Sequence, residues 1–579
     1  MRPLNALLGE LEKLGVLLWE EDGRLGYRAP RGSLSRELIE ELRARKHEVL
    51  ESLRLATAPP AAGEIGRADR TQPLPLSFGQ ERLWFVDQLS PKNPAWNVTG
   101  ALRIEGALDL EALECSLNAV VRRHEVLRTT FAHGPLSATE AVPAGGPCQI
   151  VHPFVPFSLP VFEVPVCDEA ELRAAEQRQL EAAATEGFDL VRGPVYRFAA
   201  IRFIAGLGET GADGPLSPSP RLHLLIIVLH HIAVDEWSIR ALFHEIAALY
   251  AAHRAAQPSP LPELSVQYAD YAAFERRWLQ SPEAAAARSY WRTQLAQPPV
   301  TEVPADHRPV EALGWAGVYH TRMLPPALGT ALRQLSVRQG ATPFVTLAAA
   351  LGCLLQFLTK QDDVVIGSDV ANREHAALLP LIGFFTNQVA LRADLRGDPT
   401  FTELLQRMRE VTLAAQTHQR YPFHLLAAEL DQKRRAALAT LFHVKLSFVE
   451  KSGLTLPLPG LRIEPVGFPA QHVRETLGFM VSELAHGMEL QLGARRDLYE
   501  PATLVRLGQL FETLLVAITA QPASRLSQLH ERLDEADAAL RRQRAESVRA
   551  TVHQKLKARR RDGAAPAVQT ETDVLGGTS

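Results

Sequence analysis

Two adjacent histidines followed four residues later by an aspartate, in the run His230-His231-Ile232-Ala233-Val234-Asp235, are the residues of this 579-residue chain best suited to chemistry. A neutral imidazole, with an ordinary pKa of about 6.5, is the side chain most able to accept or share a proton near neutral pH. If His230 and His231 end a strand, their rings point to opposite faces, which argues against both gripping one metal ion. One ring can then face a cavity while its neighbour is held in the body of the protein. Serine-hydrolase logic is disfavoured: no GxSxG elbow occurs, and Ser238 falls just after a helix start, where capping or turn bonding suits it better.

The elements that must position these groups are legible around them. Leu224 to Leu229 is an unbroken apolar run of strand length, and from Trp237 onward Ile239, Leu242, Phe243, Ile246 and Ala247 recur at helical spacing. A strand therefore passes into a helix through residues 232–236. Asp235 is placed either to cap that helix or to fix the turn through a buried ion pair.

His230-His231-x-x-x-Asp235 resembles the HHxxxDG motif of the condensation domains of nonribosomal peptide synthetases, and further stretches resemble that family's motifs in order. Ser77-Phe78-Gly79-Gln80-Glu81-Arg82-Leu83-Trp84-Phe85-Val86 is similar to SxAQxRLWFL, with Gly79 for alanine. Arg123 to Phe131 matches RHExLRTxF at its fixed positions. Tyr268 to Arg276 resembles YxDxAxWxR, with Phe274 for tryptophan, and its helical spacing suggests packing. Ile382 to Asn387 and His418 to Phe423 resemble IGxFxN and HQxxPF, whereas Arg434 to Phe442 is a weak match to RDxSRxPLF.

The resemblance implies that His231 faces a substrate tunnel and His230 braces the turn, and that Arg128 and Asp235 form a structural ion pair. Glu236, Trp237, Ser238 and Asn387 are the expected tunnel residues. Glu236 stands where the family has glycine, and Leu379 and His424 where it has glutamates. The implied fold is α/β, with two chloramphenicol-acetyltransferase-like lobes (73–252 and 253–525) in a V around a tunnel. The implied reaction is amide formation between a carrier-bound acyl thioester and a carrier-bound aminoacyl acceptor. Two alternatives stay open: transfer to a soluble amine or alcohol, and a catalytically silent module that recruits a tailoring enzyme.

Residues 1–56 read as a separate unit. A helix from Leu4 to Leu14 precedes two short strands flanking Glu21-Asp22-Gly23, and Ser33 and Ser35 offer caps for a helix from Arg36 to Leu53. The pattern resembles tubulysin-synthetase-type docking domains, with Trp19, Arg24, Tyr27 and Arg28 on the docking hairpin. A linker spans 57–72. After 525 a basic helical segment ends in Lys555-Leu556-Lys557-Ala558-Arg559-Arg560-Arg561, followed by a tail expected to be disordered. Leu575-Gly576-Gly577-Thr578-Ser579 echoes a carrier's pantetheinylation site, but without the helix that would precede it.

The composition, 46% hydrophobic and 22% charged with a net charge of −4, is that of a globular protein with room for two or more cores and advertises no nucleic-acid partner. Cys115, Cys148, Cys167 and Cys353 lack metal-ligand spacing and read as small buried residues. No apolar run approaches the roughly 20 residues that span a bilayer, so a cytosolic monomer without metal or cofactor of its own is expected. Its substrates would ride on the phosphopantetheine of donor and acceptor carrier proteins. An upstream synthetase subunit would dock on residues 1–56, and a downstream enzyme on the tail.

Overall fold

The computed structural model describes the paired strands 17–21 and 24–28, Leu38, and residues 64–562 except 135–141, 143–144, 206–221, 309–314, 431–441, 452–455 and 468–471. The expected helix at 4–14, that at 36–53 apart from Leu38, residues 206–221, most of the weak motif from Arg434 and the chain beyond 562 lie outside the described residues.

Strands β1 (Leu17–Glu21) and β2 (Arg24–Arg28) pair antiparallel, with Trp19 opposite Gly26 and Leu17 opposite Arg28. The first half continues with β3 (Leu74–Pro75), α1 (Phe78–Leu89), β4 (Asn97–Glu105), α2 (Leu110–Arg123), β5 (Thr129–His133), β6 (Pro147–Val151), β7 (Val161–Val166), α3 (Glu169–Thr185), β8 (Tyr196–Ala205), β9 (Leu222–His230) and α4 (Glu236–Arg254). The second half adds α5 (Tyr268–Trp278), α6 (Pro282–Gln294), β10 (Gly317–Met323), α7 (Pro326–Arg338), α8 (Pro343–Thr359), β11 (Asp363–Val370), β12 (Asn387–Asp394), α9 (Phe401–Thr417) and α10 (Phe423–Leu430). It closes with β13 (Val444–Glu450), β14 (Arg462–Val466), β15 (Leu477–Leu484), β16 (Gly487–Arg495), α11 (Pro501–Ala520) and α12 (Leu526–Asp562).

One sheet runs β14-β4-β9-β8-β7 and another β10-β16-β15-β13-β11-β12, with a small β3-β6-β5 sheet beside the first. The apolar run of β9 is explained by its place: it is hydrogen-bonded on both edges, and Leu224 to Leu229 are buried whichever way they point. Antiparallel pairing sets Asn97 opposite His230. This fixes where the strand delivers its histidines.

The expected division at residue 252 needs correction. Two cores exist, but the first also takes Tyr268, Tyr271 and Phe274 from α5, the segment Leu378–Phe385, and Leu456 and Leu458. β14, far along the second half, pairs with β4. The second core extends past residue 525, because Leu526, Leu529 and Leu533 of α12 are buried against it. The expectation about apolar length also fails. α11 is long and apolar enough by composition to cross a membrane, but Leu507, Leu510, Phe511, Leu514 and Ile518 are buried in the second core, so its apolar face packs against protein. Of the cysteines, Cys148 and Cys353 are buried, whereas Cys115 and Cys167 are exposed.

Candidate active site

Beyond the end of β9 the backbone turns sharply: Ala233 N–H donates to the His230 carbonyl (3.0 Å) and Val234 N–H to that of His231 (3.3 Å). The amides of His230 and His231 donate in turn to the carbonyls of Val195 and Trp96, each at 2.9 Å. His231 Nδ1 lies 2.6 Å from the Val234 carbonyl, which can only accept. Nδ1 therefore carries the hydrogen, and Nε2 of the neutral ring keeps its lone pair. His230 has the opposite arrangement, because its Nδ1 accepts from Ile232 N–H at 3.1 Å. His230 is buried, edge-on to Phe188, while His231 is partly exposed between Phe384 (4.8 Å between ring centres) and Trp96 (6.4 Å).

Burial, followed by the nearby Arg474 guanidinium, drives both rings toward neutrality. His230 falls to about 3, with Arg197 adding to the effect, and His231 falls well below its usual value although its bond to Val234 opposes the shift. A pH dependence of stability follows. Between about pH 6.5 and 3 the unfolded chain binds a proton at position 230 that the native state refuses, so stability is lost as pH falls through that window. The slope is about 1.4 kcal/mol per pH unit for each such group. His230→Gln, followed by urea unfolding at several pH values, is expected to make the acid slope shallower by about one proton, and an unchanged slope would contradict this.

Asp235 caps α4. Its Oδ1 accepts from Ser238 N–H at 2.9 Å and lies 2.7 Å from the Ser238 hydroxyl, while Oδ2 accepts from Phe385 N–H at 3.0 Å. Its ion-pair partner corrects the expectation. Arg373, not Arg128, meets Asp235, with Nη2 2.9 Å from Oδ1 and both side chains almost fully buried. Arg128 closes a 3₁₀ turn before β5, where it donates to the His152 carbonyl and lies 3.7 Å from Glu125. It is thus committed to its own turn, whereas Asp235 faces the segment 372–385. Arg373 also donates to the Leu381 carbonyl (2.7 Å) and stacks on the Phe385 ring at 4.0 Å. Asp235 and Arg373 together tie the histidine turn to the segment that bears Phe384.

Of the expected tunnel residues, Ser238 is fully buried, with its hydroxyl 2.8 Å from the Gly383 carbonyl as well as against Asp235, so it is a brace rather than a lining group. Asn387 is likewise committed, donating to the Gln419 and Tyr421 carbonyls at 2.7 Å and accepting from Phe423 N–H at 3.2 Å. Trp237 is exposed and donates through its indole N–H to the Leu379 carbonyl. Glu236 is exposed too, yet burial is the largest influence on its carboxyl and raises it, with Lys451 opposing and Asp235 and Asp369 adding to the rise. The side chain is thus reached by water but crowded by protein atoms, which disfavours its charged form. Arg474 and Arg82 share this character.

Other supports come from motifs visible in the sequence, although their partners across the fold were not. Ser77 and Gln80 form a capping box on α1, and the Gln80 amide reaches the Ile232 carbonyl at 3.4 Å. His124 bridges Glu245 (Nε2, 2.8 Å) and Ile382 N–H (Nδ1, 3.3 Å); burial tends to raise the Glu245 carboxyl, but His124 and Arg123 hold it low. The Tyr268 hydroxyl donates to the Phe384 carbonyl and touches Ser77 Oγ, so the motif on α5 does more than pack. Gly383 must be glycine: a Cβ there would come within 2.1 Å of the Tyr268 ring. The assembled site offers a neutral imidazole with a free lone pair, an adjacent carboxylate and two guanidinium groups, in a space where opposed segments of the fold meet.

Residues 70–540 match the Condensation domain family and residues 5–54 the TubC N-terminal docking domain. Similar proteins include chondramide synthase of Chondromyces crocatus (35% identity, 79% of this chain, 11% of the relative) and phosphinothricin tripeptide synthetase PhsC of Streptomyces viridochromogenes (34%, 85% and 43%). The chain thus spans less than half of either relative. Among solved structures, the X-domain of teicoplanin biosynthesis in complex with OxyB is similar at 27% identity and a TM-score of 0.68, covering 82% of this chain and 98% of that one. The first condensation domain of the calcium-dependent antibiotic synthetase, in complex with a substrate analogue, shares the fold at 19% identity and a TM-score of 0.62, over 79% and 99% of the two chains.

Proposed function

Because the chain belongs to the condensation-domain family of nonribosomal peptide synthetases, we propose that it joins a carrier-bound acyl group to the amine of a carrier-bound aminoacyl acceptor. The supporting observation is the His231 tautomer: Nδ1–H is tied to the Val234 carbonyl, which leaves Nε2 to take the amine's proton as the C–N bond forms. The thiolate of the donor carrier leaves as the tetrahedral intermediate collapses. Alignment of two tethered substrates and exclusion of water supply the rest of the rate, since hydrolysis of the thioester competes. Phosphopantetheine enters with the carriers as substrate. The setting is cytosolic.

A second reading is favoured by Glu236, an acidic residue next to Asp235 where the family has glycine, and by the likeness to an X-domain solved with OxyB. In this reading the site is silent and the domain recruits another enzyme. One experiment separates the two. The native protein receives an acyl carrier and an aminoacyl carrier, and intact-protein mass spectrometry follows the acceptor. Condensation predicts that acyl mass appears on the acceptor, with Glu236→Gly changing the rate less than about tenfold. Transfer that appears only in Glu236→Gly would establish the silent reading.

For partners, the β1–β2 pair has edges that an incoming peptide strand can complete, so an upstream subunit docks through residues 1–56. Arg24→Glu with Arg28→Glu is expected to weaken capture of that subunit's C-terminal peptide in a salt-dependent way, and unchanged capture would refute the assignment. Basic α12 is the surface offered to a downstream enzyme. Equal recovery of that enzyme after truncation at residue 545 would remove this role.

A further inference from the structure

Arg474 belongs to no motif used above, yet it stands beside the reacting imidazole. Its Nε donates to the Ala95 carbonyl at 2.9 Å and its Nη2 to that of Asn97 at 3.4 Å. The guanidinium thus straddles Trp96, lying 5.2 Å from the indole centre, while the Trp96 carbonyl receives the His231 amide. These contacts hold the cation at a fixed place one residue from the backbone on which His231 rests.

Every hydrogen bond it makes among the described residues is to a neutral carbonyl, and no carboxylate there lies within ion-pairing distance. The acidic groups whose charge it feels are, in falling order, Glu475, Tyr319, Asp369 and Glu236. Asp369 is already taken by Lys445 at 2.6 Å. A second cation of the same space, Arg82, donates only to the Gln388 side chain at 2.8 Å among the described residues. Arg474 is water-accessible, yet it is crowded enough by protein atoms for burial to be the largest influence on its ionisation. A guanidinium without a partner in such a setting is costly, and an entering carboxylate offsets that cost through charge-assisted, bidentate hydrogen bonds.

We propose that Arg474 is a specificity residue that binds a free carboxylate carried by one of the two substrates, the acyl or the aminoacyl group, beside His231. This rests on the condensation reading. The phosphate of the pantetheine arm has related chemistry, but it sits at the carrier end of the arm, away from the thioester and hence from His231.

The test uses the full chain and ligands that cannot react. Calorimetric titration compares succinyl-pantetheine amide with its terminal carboxamide isostere, both without phosphate, and adds a neutral acyl group on phosphopantetheine. The native protein is expected to bind the carboxylate at least tenfold tighter than the carboxamide. That ratio should fall to about one in Arg474→Gln and recover largely in Arg474→Lys. A native ratio near one, or a ratio that survives Arg474→Gln, overturns the proposal. So does an Arg474-dependent gain from the phosphate alone. If Arg474→Gln does not fold, the native ratio decides. Because binding requires no turnover, absence of acyl transfer between carriers would count against the condensation reading without deciding the role of Arg474.

Discussion

His231→Ala is expected to lower single-turnover acyl transfer between carriers by about 10²–10⁴-fold, the usual contribution of a positioned general base. Its effect on folding should be small. Among the described residues the side chain has one hydrogen bond, to the Val234 carbonyl, and two aromatic neighbours, so the loss is on the order of 1–2 kcal/mol. The Ala variant removes the acceptor for the amine proton while β9, the Asp235 cap and Phe384 keep their own contacts. Transfer rate and urea unfolding measured on one preparation separate the two effects. A variant that keeps most of the native rate would end the proton-handling role.

Asp235→Ala and Arg373→Ala are expected to cost about 3–5 kcal/mol each, because removing either partner leaves the other charge buried without compensation. Asp235 carries the larger burden, since it also caps α4 and accepts from Phe385 N–H. Arg128→Ala should cost no more than about 1 kcal/mol: the side chain is partly exposed and 3.7 Å from Glu125. The double change Asp235→Asn with Arg373→Met should recover part of either single loss, as coupled neighbours do. Equal destabilisation by Arg128→Ala and Arg373→Ala would contradict the pairing. Activity should fall with stability in both large-effect variants, because the segment they release carries Phe384, which packs on His231.

Local features were legible in the sequence and distant ones were not. The apolar run of β9, the histidines at its end and the periodic face of α4 are neighbours in the chain, so composition and spacing reveal them. The partner of Asp235 is 138 residues away, in a loop with no periodicity of its own. Once the motif arginine at 128 is assigned to Asp235, nothing in the chain marks Arg373 instead. Ser238 and Asn387 illustrate the same limit: their positions beside the motifs were visible, but not the carbonyls that already occupy them. A boundary drawn at residue 252 missed β14 because a strand that crosses to the other sheet has the same local pattern as one that stays. Arg474 had no signal, since only the fold brings it to Trp96.

The central claim is that His231 is a neutral imidazole with its lone pair on Nε2, facing the space where the substrates meet. Nitrogen-15 NMR of histidine-labelled protein at pH 7, with His231 assigned by its loss in His231→Ala, reads that tautomer directly. The account predicts a protonated Nδ1 and an unprotonated Nε2, unchanged as pH falls through 6.5, because the ring's pKa is pushed well below that value. A proton on Nε2 at pH 7, or an imidazolium that forms with a midpoint near 6.5, would contradict it.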